Sequence, residues 1–152
     1  MSQRDGGIDL DKSLGYLLKE ASSALRVAME EVLRPLGMNV THYSCLELLA
    51  QRPGLSNSEL ARGAFVTRQT MNVLLQALER DGHVTRPAEA PVGKVLPARL
   101  TPLGRRSLEK ATVAVRSVEL RMLAGLGEAE QAAAFRILHI MIHSLRDGGA
   151  GA

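Results

Sequence analysis

Cysteine and the aromatic residues are scarce in this sequence. Among its 152 residues are one cysteine, no tryptophan, two tyrosines and two phenylalanines. A single cysteine excludes an intrachain disulfide framework and is typical of a reducing compartment. The low aromatic content argues against a platform on which the bases of single-stranded nucleic acid stack.

Long apolar runs and targeting segments are also missing. No apolar run approaches the roughly 18 residues that a membrane-spanning helix needs. The first residues, MSQRDGGIDLDKS, are polar and include acidic side chains, unlike a secretory signal peptide. We therefore expect a cytoplasmic protein without a membrane partner.

The sequence contains none of the common short motifs of catalytic or cofactor sites. It has no P-loop, no complete GxGxxG, no zinc-ligand set and no nucleophile elbow. His139 and His143 are four residues apart and could face one metal ion, but two ligands make a poor site. Cys45 lies among leucines, where thiols are generally inert. We therefore expect a protein that is not an enzyme and has no cofactor and no metal site. Two alternatives remain open. One is a metal- or redox-responsive regulator, and the other is an enzyme that uses His42 or Cys45.

The segment 56–101 carries the clearest structural pattern. Ser56 and Glu59 predict a capping box, in which a hydroxyl and a carboxylate bind the free N–H groups of a helix start. A second helix start follows at Thr67, and the helical pattern continues to Gly82, which suits the left-handed residue after a helix. A short helix, a tight break and a longer helix are typical of a helix-turn-helix.

The second of these helices has two different faces. Its apolar residues recur at helical spacing and predict a buried face made of Met71, Leu74, Leu75 and Leu78. The other face carries Arg68, Gln69, Asn72, Val73 and Gln76. Arg, Gln and Asn have the paired polar atoms that match base edges in the major groove of DNA. An ordinary solvated face is the alternative interpretation.

Charge favours the nucleic-acid interpretation. Residues 62–106 hold eight basic and three acidic side chains, a net charge of +5. Residues 1–61 have a net charge of −2, and residues 107–152 are neutral overall. The surplus positive charge is therefore confined to the segment with the helix-turn-helix pattern, as expected when the partner is a polyanion.

A basic hairpin is predicted directly after the second helix. Short strands are expected at 83–86 and 95–100, the second at a sheet edge because Pro97 cannot donate to a ladder. Between them, PAEAPVGK should project as a loop, with Arg86 and Lys94 flanking its tip. A wing of this kind can reach the minor groove beside a recognition helix, whereas a solvated surface loop is the alternative.

Further helices are predicted on both sides of this winged unit. They are expected at 11–36, at 41–51 with Thr41 as the N-cap, from Thr101-Pro102 to about 123, and at 128–146. The predicted fold is mainly α with a small β-hairpin, in the order α-α-α-α-β-β-α-α. Apolar stripes on the terminal helices predict burial against a second copy of the chain. A helical cap folded back within a monomer is the alternative.

The order and spacing of these pieces resemble the MarR family of bacterial transcription regulators. The matching stretches are LARGAFVTRQTMNVLLQALERDGHVTR and RLTPLGRR, and the resemblance extends over nearly the whole chain. It implies a single domain over 1–152, with a winged helix-turn-helix at 41–106 and dimerisation helices at 11–36 and 107–146. A two-fold dimer would present its recognition helices roughly 34–36 Å apart, which predicts a palindromic site.

The wing departs from the family pattern. The family tip often carries Asp-x-Arg, and this sequence has Val92 and Lys94 at those positions. Lys lacks the planar fork of Arg, and here no carboxylate orients it. We expect backbone attraction at the wing, with base discrimination left to the recognition helix or to DNA shape.

The sequence thus predicts a dimeric transcription regulator, a repressor, that binds double-stranded DNA sequence-specifically. The residues expected to contact DNA are Thr67, Arg68, Gln69, Thr70, Asn72, Gln76, Arg86, Lys94 and Arg99. The family resemblance further implies relief by a small aromatic or phenolic acid, for which the candidate residues are Tyr16, Arg26, His42 and Tyr43. A winged-helix module that binds protein instead of DNA is the main alternative.

Overall fold

The computed structural model describes residues 6–86 and 98–147. Within these ranges the helices are α1 (Leu14–Leu33), α2 (Val40–Gln51), α3 (Asn57–Gly63), α4 (Arg68–Arg80), α5 (Pro102–Leu123) and α6 (Glu128–Asp147). The strands are β1 (Val84–Thr85) and β2 (Arg99–Leu100), paired antiparallel with Val84 opposite Leu100. The predicted order of helices and strands is confirmed. The predicted wing tip, with Val92 and Lys94, lies outside the described residues, as does Pro97 of the predicted second strand.

The starts of two helices differ from the prediction because other side chains cap them. Helix α2 begins after Asn39, not at Thr41, since Asn39 Oδ1 accepts from the His42 N–H at 2.8 Å. His42 Nδ1 accepts in return from the Asn39 N–H at 3.3 Å, which completes a reciprocal cap. Helix α1 begins only after Ser13, whose Oγ accepts from the Tyr16 N–H at 3.1 Å. Single turns of 3₁₀ helix precede and follow α1.

The chain divides into two compact units that separate between Val118 and Glu119. The first unit has a continuous apolar core. This core contains the predicted buried face of α4, and its buried members are Cys45, Leu46, Leu49, Leu60, Ala61, Met71, Leu74, Leu75, Leu78, Val84, Ala98 and Leu108. The core therefore fixes the face of α4 that is turned inward and leaves the polar face in solvent.

The start of α5 is tied to the turn that follows α4. Thr101 Oγ1 donates to the Gly82 carbonyl at 2.5 Å and accepts from the Gly104 N–H at 3.1 Å. Gly82 has a φ of 80°, the left-handed conformation predicted for the residue after α4. A Cβ added at Gly104 would collide with the His83 carbonyl oxygen, so glycine lets α5 approach the hairpin closely.

The second unit contains the end of α5 and the whole of α6. No residue of α6 is buried, although the helix carries several large apolar side chains. Phe135, Ile140 and Leu145 are among the most exposed of them. Among the described helices, none combines the length and the apolar character needed to cross a membrane.

Candidate nucleic-acid interface

The outer face of α4 presents the polar side chains that the sequence singled out. Its apolar face is buried in the core, and the opposite face is in solvent. The exposed candidates on α4 and at its N-cap are Thr67, Arg68, Gln69, Thr70, Asn72 and Gln76. The helix therefore offers a convex, uncovered row of donors and acceptors that can enter a groove.

The N-terminus of α4 is suited to an anionic partner. Thr67 Oγ1 accepts from the Thr70 N–H at 3.1 Å and donates to Thr70 Oγ1 at 2.9 Å. This cap satisfies the N–H of Thr70, whereas the N–H groups of Arg68 and Gln69 have no acceptor within the helix. Free N–H groups and the positive end of the helix dipole favour a phosphate at this position.

Asn72 is positioned by a residue that the sequence pattern did not indicate. Asn57 Nδ2 donates to Asn72 Oδ1 at 2.5 Å, which links the first turn of α3 to the middle of α4. With its oxygen engaged, Asn72 presents its amide nitrogen as a donor. An amide nitrogen in this position can donate to an acceptor in the major groove, such as guanine O6, thymine O4 or a purine N7.

The cation at the base of the hairpin is already paired. Arg86 Nε donates to Glu79 Oε2 at 2.7 Å, and this ion pair joins β1 to the end of α4. Arg86 retains further donors on its guanidinium, because Nε supplies one of five. Glu79 nevertheless offsets its charge, so Arg86 is less suited to a phosphate contact than its sequence position suggested. Arg99, on β2, is exposed.

Phe65, in the turn between α3 and α4, is another feature that the sequence pattern missed. It has a φ of 59° and is 83% exposed. Its N–H donates to the Arg62 carbonyl at 3.2 Å, and the Val66 N–H donates to the Ala61 carbonyl at 3.0 Å. These two bonds end α3 in a Schellman motif, whose left-handed position usually holds glycine. A left-handed conformation costs about 1–2 kcal/mol in a residue with a Cβ.

The four candidate effector residues do not converge on one cavity. Tyr16 lines an open depression of ≈ 320 Å³ at the start of α1, together with Leu10, Leu14 and Leu17. Arg26 is exposed ten residues further along α1, which is about 15 Å at helical rise. His42 and Tyr43 are half-buried on α2. The chain alone therefore does not assemble the four into a pocket.

His42 has a defined hydrogen-bonding role. Its Nδ1 accepts from the Asn39 backbone, so the neutral ring carries its proton on Nε2 and can donate there. Burial lowers the pKa of His42, and the His83 ring acts in the same direction. The carboxylates of Asp81 and Glu30 oppose this shift. His42 can therefore offer a neutral donor to a carboxylate ligand.

The redox and metal alternatives find little support in the geometry. Cys45 is fully buried, and burial raises the pKa of its thiol to about 12, which suppresses the reactive thiolate. Across residues 6–86 and 98–147, no three His, Cys, Asp or Glu side chains are grouped so as to hold a metal ion. The His139 and His143 rings stack at 6.4 Å between centroids, and His143 Nδ1 lies 3.1 Å from Asp147 Oδ2.

Comparison with known proteins agrees with this winged-helix geometry. A MarR family model matches residues 36–94. The HTH-type transcriptional repressor Rv2887 of Mycobacterium tuberculosis is 44% identical over 125 residues, which cover 82% of this chain and 90% of the relative. The chain belongs to the MarR family.

Solved structures of this MarR-family relative share the fold. The crystal structure of M. tuberculosis Rv2887 with salicylic acid is 43% identical, covers 86% of this chain and 97% of the other, and has a TM-score of 0.72. The Rv2887 complex with DNA is 41% identical, covers 86% and 98% of the two chains, and has the same TM-score of 0.72. The MarR family match spans α2 to the wing and includes both Asn57 and Phe65.

Proposed function

We propose that the protein is a dimeric transcription repressor that binds a palindromic site in double-stranded DNA. The observation that carries this proposal is the exposed face of α4, with Arg68, Gln69 and Asn72 in solvent above a fully packed apolar face. This face lies in the segment 62–106, which holds the net charge of +5. Relatives of this chain are named HTH-type transcriptional repressors, which supports repression as the direction of regulation.

A second copy of the chain completes the proposed DNA-binding form. The first half of α1 exposes Leu14, Leu17 and Leu18, and α6 exposes Phe135 and Leu145. Large apolar side chains left exposed on each of these two helices favour a contact with another protein surface. We assign it to a homodimer, in which 11–36 and 107–146 serve dimerisation and the whole chain acts as one functional domain.

Release from DNA is assigned to a small aromatic acid. The relative Rv2887 has been crystallised with salicylic acid and with p-aminosalicylic acid. In this chain, Arg26 can supply a charge and the Nε2–H of His42 a neutral donor to a carboxylate, and Tyr16 and Tyr43 are the aromatic candidates. Because these residues are spread over α1 and α2, we place the effector site where the dimer partner helps to enclose it.

No step of this function needs catalysis, a metal or a cofactor. An effector shifts a regulator between a conformation that fits DNA and one that does not if it binds one of the two conformations more tightly. We therefore propose a regulator without enzymatic activity. A protein that binds chromosomal DNA works beside the chromosome, so we place it in the cytoplasm.

The direct test is binding to labelled duplexes from the region upstream of the protein's own gene, with a scrambled duplex as competitor. Wild-type protein should bind the upstream duplex more tightly than the scrambled one, and salicylic acid should weaken that binding.

Arg68→Ala should cost about 1–3 kcal/mol of binding free energy on the specific duplex and much less on the scrambled one. Arg52→Ala, which removes an exposed cation outside both the basic segment 62–106 and the dimerisation helices, is the matched control and should change neither. Equal losses on both duplexes would remove Arg68 from base recognition, and no binding by wild type at low salt would refute the proposal.

A further inference from the structure

The turn between α3 and α4 contains an unusual combination of backbone strain and an exposed apolar side chain. Among the described residues, Phe65 is the single non-glycine with a positive φ. At the other described positions with a positive φ the chain uses glycine, namely Gly6, Gly37, Gly54 and Gly82. A bulky residue at such a φ is a conformational outlier, and outliers of this kind are concentrated at functional sites.

Folding does not account for the choice of phenylalanine. The side chain is 83% exposed, so it contributes little apolar burial to the monomer. The neighbouring Val66 packs against the core, and the two backbone bonds of the Schellman motif need no particular side chain at position 65. Glycine would keep this geometry with less strain.

The position of Phe65 beside the recognition helix indicates its partner. It lies two residues before Thr67, the N-cap of α4, and between the exposed cations Arg62 and Arg68. An exposed apolar residue, Val73, also lies on the outer face of α4. When α4 enters a major groove, the turn that carries Phe65 comes against the edge of the same groove. The apolar groups there are deoxyribose carbons and thymine methyl groups, and thymine methyls are contacted by Phe in direct readout.

We propose that Phe65 is a DNA-contact residue that packs on apolar carbons of the duplex next to the phosphates held by the start of α4. This inference rests on the proposed function, since it assumes that α4 is the recognition helix. The strained turn presents the ring at the groove edge, where a residue with a common backbone conformation would point elsewhere. Phe65 thereby adds affinity without adding charge.

Three substitutions separate the contact from the fold. Phe65→Gly and Phe65→Asn remove the apolar ring but tolerate a left-handed backbone, whereas Phe65→Leu keeps an apolar side chain and keeps the strain. The affinity for a footprinted operator duplex should fall about tenfold in the Gly and Asn variants and much less in the Leu variant. The thermal midpoint of the Gly variant should equal or exceed that of wild type. Ile8, an apolar residue that is 79% exposed and lies outside the winged unit and the dimerisation helices, provides the control substitution Ile8→Ala, which should leave both quantities unchanged.

Salt and base analogues complete the experiment. The dependence of affinity on salt should keep its slope in Phe65→Gly, because loss of an apolar contact changes no counterion release. Replacing operator thymines by uracils one at a time shows which carbons are contacted. If a uracil substitution lowers the affinity of wild type but not that of Phe65→Gly, the ring contacts the methyl group of that thymine. If no uracil substitution has this effect, the ring contacts deoxyribose carbons.

Wild-type affinity in the Gly and Asn variants would overturn the role of Phe65, as would a Gly variant that loses stability in parallel with affinity. A changed salt slope would also overturn it. These failures leave the proposed function intact if wild type binds the operator. A wild-type protein that binds no duplex refutes the function and this inference together.

Discussion

The ring of His42 combines a structural contact with a titratable group. Its Nδ1 closes the N-terminal cap of α2, which requires the unprotonated nitrogen. Burial is the main cause that lowers its pKa, and the groups that act on it are Asp81, His83 and Glu30. Protonation of His42 therefore removes a cap and places a charge in a partly buried site.

We predict that His42 makes the protein less stable in mildly acidic solution. Because its pKa in the folded state lies below the ordinary value of 6.5, the unfolded chain binds more protons as the pH falls through that value. The contribution of His42 is therefore present above pH 6.5 and is lost as the pH falls from there towards the folded-state pKa. His42→Gln keeps an acceptor at the third position of the cap but does not titrate. Urea unfolding at several pH values between about 7.5 and 5 should show a smaller loss in the variant. Equal losses in both proteins would contradict this role, since the remaining histidines are common to both.

Residues whose role depends on sequence neighbours were predictable, and residues whose role depends on the tertiary fold were not. The caps at Ser56 and Thr67 follow from short-range patterns, and the structure confirms them. The bond from Asn57 to Asn72 joins positions fifteen residues apart, so no local spacing indicates it. Residue type alone favours Thr41 as the cap, but Asn39 forms a reciprocal cap with His42, and Thr41 lies inside α2. Phe65 was hidden because a Schellman end is normally recognised by its glycine.

At the scale of elements, the helices were predicted more accurately than the strands. Helical periodicity over many residues places α4, α5 and α6 within one or two positions. The first strand begins one residue later than predicted because the backbone N–H before it is already used, and residues 95–97 of the predicted second strand lie outside the described residues. The His83 N–H donates to the Leu78 carbonyl at 2.9 Å and ends α4, and β1 begins only at Val84.

The close approach of α5 to the hairpin gives a prediction for Gly104. A Cβ at this position would meet backbone atoms of His83, which cannot move away as a flexible side chain can. Gly104→Ala should therefore destabilise the protein by about 1–3 kcal/mol, despite the higher helix propensity of alanine. Chemical denaturation measures this loss directly. Gly125→Ala is the matched control, because a Cβ there meets nothing within 4 Å, and it should be nearly neutral. A stable Gly104→Ala protein would show that the approach is not constrained.

At the scale of the whole molecule, apolar surface is distributed unevenly along the chain. In the second half of α1, Leu25, Met29 and Val32 are half-buried and Leu33 is fully buried, whereas Leu14 and Leu17 in the first half are exposed. The sequence predicted a broad stripe along the helix but not how much of it the chain itself covers. That division depends on where α2 packs, which is a tertiary contact. The uncovered half of the stripe is the part available to a second copy.

We predict that a charge on this uncovered half dissociates the dimer. Leu17→Glu places a carboxylate within the exposed stripe, and its burial in an interface would carry a large desolvation cost. Light scattering after size-exclusion chromatography should give the mass of a dimer for wild type and of a monomer for the variant. Affinity for a palindromic operator should fall about a hundredfold, because the two recognition helices then bind independently.

Ser23→Glu is the matched control. It adds the same charge on the opposite side of α1, at 180° from Leu14 by helical geometry, and should leave mass and affinity unchanged. If Leu17→Glu remains a dimer, α1 does not carry the interface, and the exposed face of α6 must supply it.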